Sequence, residues 1–289
     1  MHIVVCVKMV PDTTLVQIDP VTNTLVREGV PFITNPFDTH ALEEALRIKD
    51  RYGSRVTTIS MGPPTAERVL RRALALGSDR AILLSDRAFG GADTLATSRV
   101  LAAAIEKIAN EEPVDLVFCG MQTIDGDTAQ VGPGIACRLR FSQLTLVDQI
   151  LAIDHSRGTI KVRRKLETHY ETVEAKLPAL LTVVREINTP RYPTVPKRLE
   201  AEDALVPVWS NEVLKLDPET IGLKGSPTQV RRIFAPQREE GELMDGFGVN
   251  RDLAVRRIVQ KMKEWDFVRE DAAQQARSSR YAFRQDPQG

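Results

Sequence analysis

The sequence is short of the residues on which most recognisable chemistry is built. Its three cysteines, Cys6, Cys119 and Cys137, lie far apart with no CxxC pair. That spacing argues against a disulfide framework and against a zinc or iron–sulfur centre, and it fits a reducing cytoplasm. The four histidines, His2, His40, His155 and His169, have no zinc-ligand spacing. No GxxxxGK[ST] and no GxSxG occur, and no GxGxxG follows a strand. A P-loop, a nucleophile elbow and the standard dinucleotide fingerprint are therefore absent. Neither sign of charge is in excess, since Lys+Arg and Asp+Glu both number 39. This removes bulk attraction to nucleic acid or to an anionic membrane. No apolar run approaches the roughly 20 residues that span a bilayer. The opening MHIVVCVKMV reads as a strand, not as a signal peptide. What is left is a globular composition of 289 residues, 42% hydrophobic and 27% charged. That is enough for one large domain, or a domain plus an extension.

What is present is organised around residues 114–139, VDLVFCGMQTIDGDTAQVGPGIACRL. An apolar strand over 114–119 breaks at Gly120. A polar loop runs from Gln122 to Gln130, and an apolar run with helical character follows over 131–139. Strand, glycine, polar loop and helix place backbone N–H groups and a helix N-terminus at the carboxyl edge of a parallel sheet. Orphan amides and the helix dipole both favour a phosphate there. The same letters also describe an ordinary βα turn whose Asp and Thr residues serve only as caps.

The chain before this stretch alternates strands and helices. Residues 3–7 form a continuous β-branched run, as in a strand buried on both faces. The loop 8–14 follows at its carboxyl end, where open α/β sheets place ligands. Lys8 there either meets a phosphate or is simply solvated. Residues 15–34 carry the alternation and turn of a hairpin. Asn35 precedes Pro36 and is predicted extended; its amide either faces a ligand or closes the turn. Asp38 is predicted to cap a helix running to Lys49. A strand over 56–61 ends at Gly62-Pro63-Pro64, and Thr65 is predicted to cap the next helix, closed by Gly77. After a strand over 81–84, Asp93 and Thr94 open the helix DTLATSRVLAAAIEKIANE. Asp93, Thr94 and Thr97 lie in its first turn and can point at the sheet edge. Capping alone accounts for Asp93, and does less for Thr97.

Beyond 139, closely spaced strands over 144–153, 159–165, 170–176 and 180–184 suggest an antiparallel addition. Residues 1–188 thus read as an α/β domain: a mostly parallel nucleotide-binding sheet flanked by helices, with antiparallel strand additions. Residues 189–204 are proline-rich and predict a projecting loop and linker, with Val195 between Thr194 and Pro196. Residues 205–289 read as a C-terminal arm. It has a short strand near 205–209, a turn-rich stretch at 218–225, an extended stretch at 230–236 and an amphipathic helix over 251–265. Its Arg- and Gln-rich tail has the composition of disordered tails. Apolar stripes without a core of their own suit docking on a partner.

These pieces resemble the electron-transfer flavoprotein beta-subunit family in order and spacing. The matching stretches are IVVCVKMVPD, Asn35-Pro36-Phe37, LRRALALGSDRAILL, VDLVFCGMQTIDGDTAQVGP, LPALLTV and NTPRYPTVP, and they span nearly all of residues 1–200. The resemblance implies an α/β domain whose arm embraces an alpha subunit, and that alpha subunit holds the electron-transferring FAD. The beta subunit has a buried adenine-nucleotide site and no catalytic residues. Ordinary members hold AMP there. Electron-bifurcating members hold a second FAD, which takes a hydride from NADH and passes single electrons to the alpha-subunit FAD and to a low-potential acceptor.

The chain is most similar to the bifurcating group at two places. One is Asp125-Gly126-Asp127-Thr128-Ala129-Gln130-Val131-Gly132-Pro133. The other is the DTLAT helix start at Asp93, Thr94 and Thr97. By this resemblance, Cys6, Val7 and Lys8 line the adenine end, flanked by Asn35, Met61 and Gly62. Gly120, Gln122, Thr123 and the loop from Asp125 to Pro133 hold phosphate and ribose. Val195 matches the loop that inserts an apolar side chain into a partner dehydrogenase, where the family commonly has Leu. The implied partners are the alpha subunit, NADH, and an acyl-CoA dehydrogenase or a quinone oxidoreductase or ferredoxin-type carrier, with no nucleic acid. The implied location is the cytoplasm, with any membrane association made through a partner. The alternatives are an AMP-containing carrier and a nucleotide-sensing module related to universal-stress-type proteins; the long arm argues against the second.

Overall fold

Short β-branched runs separated by helical stretches build a layered structure, whose centre is a sheet buried on both faces. The computed structural model describes residues 1–12, 17–18, 25–26, 31–229, 251–265 and 267. The chain divides into two units, Met1–Ala235 and Pro236–Gly289.

In the first unit, β1 (His2–Cys6) is followed by two small antiparallel pairs. β2 (Met9–Pro11) pairs with β5 (Phe32–Thr34), and between them β3 (Gln17–Ile18) pairs with β4 (Leu25–Val26). The expected hairpin is present, and part of the expected loop 8–14 is a strand. The βα units follow: α1 (Pro36–Tyr52), β6 (Arg55–Met61), α2 (Glu67–Leu76), β7 (Arg80–Leu84), α3 (Thr94–Glu111), β8 (Leu116–Gly120) and α4 (Val131–Leu139). Then come β9 (Ser142–Asp154), β10 (Thr159–Lys165), β11 (Tyr170–Lys176), β12 (Ala179–Val183), α5 (Val195–Asp203), β13 (Val208–Trp209) and α6 (Asn211–Leu214).

Nine strands form one sheet in the order β11-β10-β9-β12-β8-β1-β6-β7-β13. Only β10 runs against the others. Here the expected antiparallel addition is corrected in one respect. β12 is parallel to both neighbours, inserted between β8 and β9. Its pattern, buried at every position, is that of a central parallel strand. Side-chain alternation then sorts the core. Ile3, Val5, Leu116 and Phe118 face the side covered by Leu42 and Leu46 of α1 and Leu70 of α2. Val4, Cys6, Val117 and Cys119 face Val100 and Ile105 of α3 and Ile135 of α4.

Two predicted caps are not caps. Pro36 fixes the first turn of α1, so Asn35 takes the cap position and Asp38 lies inside the first turn. Thr65 sits in a 3-10 turn over Pro64–Ala66, and α2 starts only at Glu67. Asp93 caps α3 as expected, accepting from Leu95 N and Ala96 N.

The segment after Asn188 is built onto the same sheet. Arg71 of α2 donates to Ala201 O (2.8 Å) and Ala204 O (3.3 Å), fastening the end of α5. β13 extends the sheet beside β7, with Val208 opposite Leu83 and Trp209 opposite Leu84. In the second unit the expected amphipathic helix is α7 (Arg251–Glu264), with Leu253, Val255, Ile258, Val259 and Met262 exposed. The extended stretch expected at 230–236 and the Arg- and Gln-rich tail lie outside the described residues. Among the described residues no helix is long and apolar enough to cross a membrane.

Candidate functional site

The carboxyl ends of β1 and β8 are gathered by one carboxylate. Lys8 N donates to Asp38 Oδ2 at 2.8 Å, and Gly120 N donates to Asp38 Oδ1 at 3.1 Å. The first turn of α1 is packed so tightly on β8 that position 120 has no room for a side chain. A Cβ there would lie 2.5 Å from Asp38 Oδ1 and 2.6 Å from Phe37 Cβ. Burial pushes the Asp38 carboxyl up to about 7, against the lowering effect of Asn35, the two amides and the Lys8 ammonium. In the sequence, Asp38 reads only as a cap. The signal for its true place is Pro36, which starts the helix early and turns Asp38 inward.

Asn35 is fully buried and fastens the polar loop to this clasp. Its N–H donates to Lys8 O (2.8 Å) and its Nδ2 donates to Gln122 O (2.9 Å). Its Oδ1 accepts from Ile124 N at 3.3 Å. Of the two roles open to its amide, it closes the turn. The Lys8 ammonium donates to both oxygens of Asp125, at 2.8 and 2.6 Å. Partial burial alone would raise Asp125, but Lys8 and Thr123 hold its carboxyl below the usual carboxylate range.

The loop then turns on itself. Asp127 N donates to Thr123 O (2.9 Å), and Gln122 Nε2 donates to Asp127 Oδ1 (2.9 Å). Asp127 and Ala129 have φ of 50° and 55°, a left-handed conformation that costs non-glycine residues energy. Residues 125–130, including Gly126 and Thr128, are exposed. They lead into α4, whose cap residue Gln130 makes no side-chain cap hydrogen bond. Gln130 Oε1 instead accepts from Thr94 Oγ1 at 2.7 Å, which joins the two helix starts. Gly132 seats the start of α4 directly on the sheet, since a Cβ there would lie 2.6 Å from Thr182 Cγ2. Pro133 removes one further N–H from that turn.

The remaining predicted residues form the floor and one flank. Val7 and Cys6 are buried, and Val7 N donates to Ile59 O (2.9 Å). The Cys6 thiol and burial hold the neighbouring Cys119 thiol well above its ordinary value, which keeps Cys119 protonated. Half-buried Met61 ends β6 and half-buried Gly62 follows it, with Gly62 N donating to Leu84 O at 3.1 Å. Thr97 is half-buried in the first turn of α3, and its N–H donates to Asp93 O (2.9 Å).

Val195 lies apart from this group. It opens α5 and is not the tip of a loop, because Thr194 caps that helix and Pro196 suits its first turn. Its side chain is 70% exposed, near exposed Tyr192 and Leu199 in sequence. Two cavities lie elsewhere. One of about 320 Å³ is at the amino ends of the strands, lined by His2, Arg55, Arg80, Ile108, Glu111 and Glu112. One of about 460 Å³ lies between α1, α2 and α5. Neither is lined by a residue of the carboxyl edge.

The edge so built offers a helix start without a side-chain cap and an exposed loop, with the Lys8 ammonium paired to Asp125 beside it; uncapped N–H groups at a helix start are donors suited to an anion.

Comparison with known proteins adds the kinship. Residues 22–214 match the Electron transfer flavoprotein domain. The electron transfer flavoprotein subunit beta of Clostridium acetobutylicum is 50% identical over 269 residues, covering 93% of this chain and 100% of that one. The caffeyl-CoA reductase-Etf complex subunit CarD of Acetobacterium woodii is 50% identical over 266 residues, 91% and 98% of the two chains. Protein FixA of Azotobacter vinelandii is 50% identical over 238 residues, 82% and 85% of the two chains. With a matching family model over most of its length and such identity to beta subunits along nearly the whole chain, this protein belongs to the electron transfer flavoprotein family, on its beta-subunit side.

Proposed function

We propose that the chain holds an FAD at the carboxyl edge of β1, β6 and β8, as the bifurcating subunit of a heterodimer. Beta subunits of this family pair with an alpha subunit in an electron-transferring flavoprotein. The observation that carries the reading is the start of α4: no side-chain cap and an exposed loop leading into it. There the N–H groups of Thr128–Gly132 hold phosphate oxygens, and Thr128 adds a hydroxyl. The backbone of Cys6–Lys8, with Met61 and Gly62, lines the adenine. Asn35 and Asp38 keep these ends in register without touching the ligand.

Bound there, FAD supplies hydride acceptance and one-electron transfer; the chain's residues bind and orient it. NADH is the hydride donor in this reading. The alpha-subunit FAD and a low-potential carrier are the electron acceptors. The exposed apolar face of α7 docks on the alpha subunit, and Val195 contacts a redox partner. Support for FAD comes from DGDTAQVGP and from kinship to a protein named for a caffeyl-CoA reductase complex.

One observation favours the AMP reading. Asp93 already occupies Leu95 N and Ala96 N of α3, which leaves α4 as the helix start open to phosphate. An AMP-containing subunit would carry electrons between acyl-CoA dehydrogenases and a quinone oxidoreductase.

The site is tested by Thr128→Glu, which sets a carboxylate beside the proposed phosphate. The purified heterodimer is expected to keep the alpha-subunit FAD and to lose the nucleotide bound by the beta subunit. Unchanged nucleotide content would sink the assignment.

A further inference from the structure

Two adjacent residues, Asp93 and Thr94, tie the last described segment of the first unit to the loop before α4. Asp93 Oδ1 accepts from Leu95 N and Ala96 N, both at 3.0 Å, and so caps α3. Its Oδ2 accepts from Thr228 N at 3.1 Å and from Thr228 Oγ1 at 2.9 Å. Asp93 N donates to Ser226 Oγ (2.8 Å), and Ser226 Oγ donates to Gly222 O (2.6 Å). Residues 217–228 are thereby laid across the start of α3. They are fastened further by Arg99, which donates to Thr220 O at 2.6 Å. Gly222 packs so closely that a Cβ would lie 2.1 Å from Ala88 O.

The residue after Asp93 reaches the other way. Thr94 Oγ1 donates to Gln130 Oε1 at 2.7 Å, at the cap position of α4. Behind this contact the two helices are in close packing, since a Cβ on Gly134 would lie 2.8 Å from Ser98 Cβ. A continuous path of hydrogen bonds and one peptide link thus runs from Thr228 through Asp93 and Thr94 to the start of α4.

The geometry points to Asp93 as a positioning residue that couples the seating of residues 226–228 to nucleotide affinity at the start of α4, and not as a phosphate contact. This rests on the nucleotide reading given above. Both oxygens of Asp93 are spent on protein donors, and its charge repels phosphate. What Asp93 does is hold Thr94 where Thr94 can fix Gln130. Gln130 directly follows Ala129, whose φ is 55°, and precedes the first turn of α4. The linkage is reciprocal, so a bound nucleotide tightens the seating of residues 226–228.

The test uses the heterodimer stripped of nucleotide, with FAD and AMP as separate probes. Affinity is measured by calorimetry, and hydrogen exchange is followed in residues 122–132. Ser226→Ala with Thr228→Val removes three of the bonds to residues 226–228 but leaves the cap of α3 intact. It is expected to weaken the preferred nucleotide on the order of tenfold, a usual size for coupled sites. Exchange in 122–132 speeds up, while β9–β11 keep the wild-type rate. Thr94→Val breaks the path further along and gives a similar loss. Because the two breaks lie in series, the combined variant is no weaker than Thr94→Val alone. Thr228→Val by itself, the milder change, gives a smaller shift of the same sign. Wild-type affinity and loop exchange in the Ser226/Thr228 variant would overturn the proposal, as would losses that multiply when combined. A wild-type heterodimer that binds neither probe overturns the nucleotide reading itself, and that result is visible before any variant is made.

Discussion

Asp38 shows how much one buried side chain can carry. It holds the ends of β1 and β8 through Lys8 N and Gly120 N, and burial moves its carboxyl from 3.8 to about 7. The native state therefore keeps a proton that the unfolded chain releases. The stability due to that proton is fully present below the unfolded value of 3.8 and is lost as pH rises through about 7. Asp38→Asn is expected to flatten the fall in melting temperature between those limits. It also lowers the melting temperature overall, because the Asn NH₂ faces a backbone donor, at a cost of about 1–3 kcal/mol. A variant that keeps the wild-type slope would assign that slope to another group. Asp93 was legible as a cap because capping is decided within a few residues. Asp38 was not legible, because its burial depends on β8, which is remote in sequence. The second partner of Asp93, Thr228, was hidden for the same reason.

Among the elements, α3, α4, β7, β10 and β11 were legible, since each is set by a local apolar pattern and a turn residue. The direction of β12 was not. A short, fully buried run reads the same in either direction, and only its neighbours β8 and β9 decide. The start of α1 was misplaced because a proline at the first helical position outranks an Asp further on. Two element contacts invite direct tests. Gly132→Ala pushes α4 off Thr182 and is expected to cost about 1–3 kcal/mol in urea unfolding, the usual range for overpacking. Gly120→Ala is expected to cost more, because its Cβ meets backbone as well as the Asp38 carboxylate, 2.7 Å from Phe37 C. Equal stability of both variants with wild type would mean that these helix starts can move.

At the scale of the whole molecule, the sheet presents its carboxyl edge and the second unit presents an apolar helix. The sequence foretold both, because 114–139 carries its loop chemistry openly and α7 carries its stripe openly. It did not foretell that residues 195–229 belong with the sheet. The short strand expected near 205–209 carries no sign of its neighbour; as β13 it is held by pairing with β7 and by Arg80 and Lys107 over the Trp209 ring, at 5.6 and 5.4 Å. Ile258→Asp in α7 is expected to lower the yield of heterodimer while the circular dichroism of the isolated chain stays that of the wild type. Full yield would exclude α7 from the interface. Val195→Asp is expected to weaken coupling to a dehydrogenase without loss of nucleotide, and nucleotide loss would refute its assignment to partner contact.

An FAD at the start of α4 is tested by denaturing the purified heterodimer and identifying and counting the nucleotides released. Two FAD per heterodimer are expected. One FAD with one AMP would contradict bifurcation and leave a carrier with a structural nucleotide; one FAD alone would contradict the site.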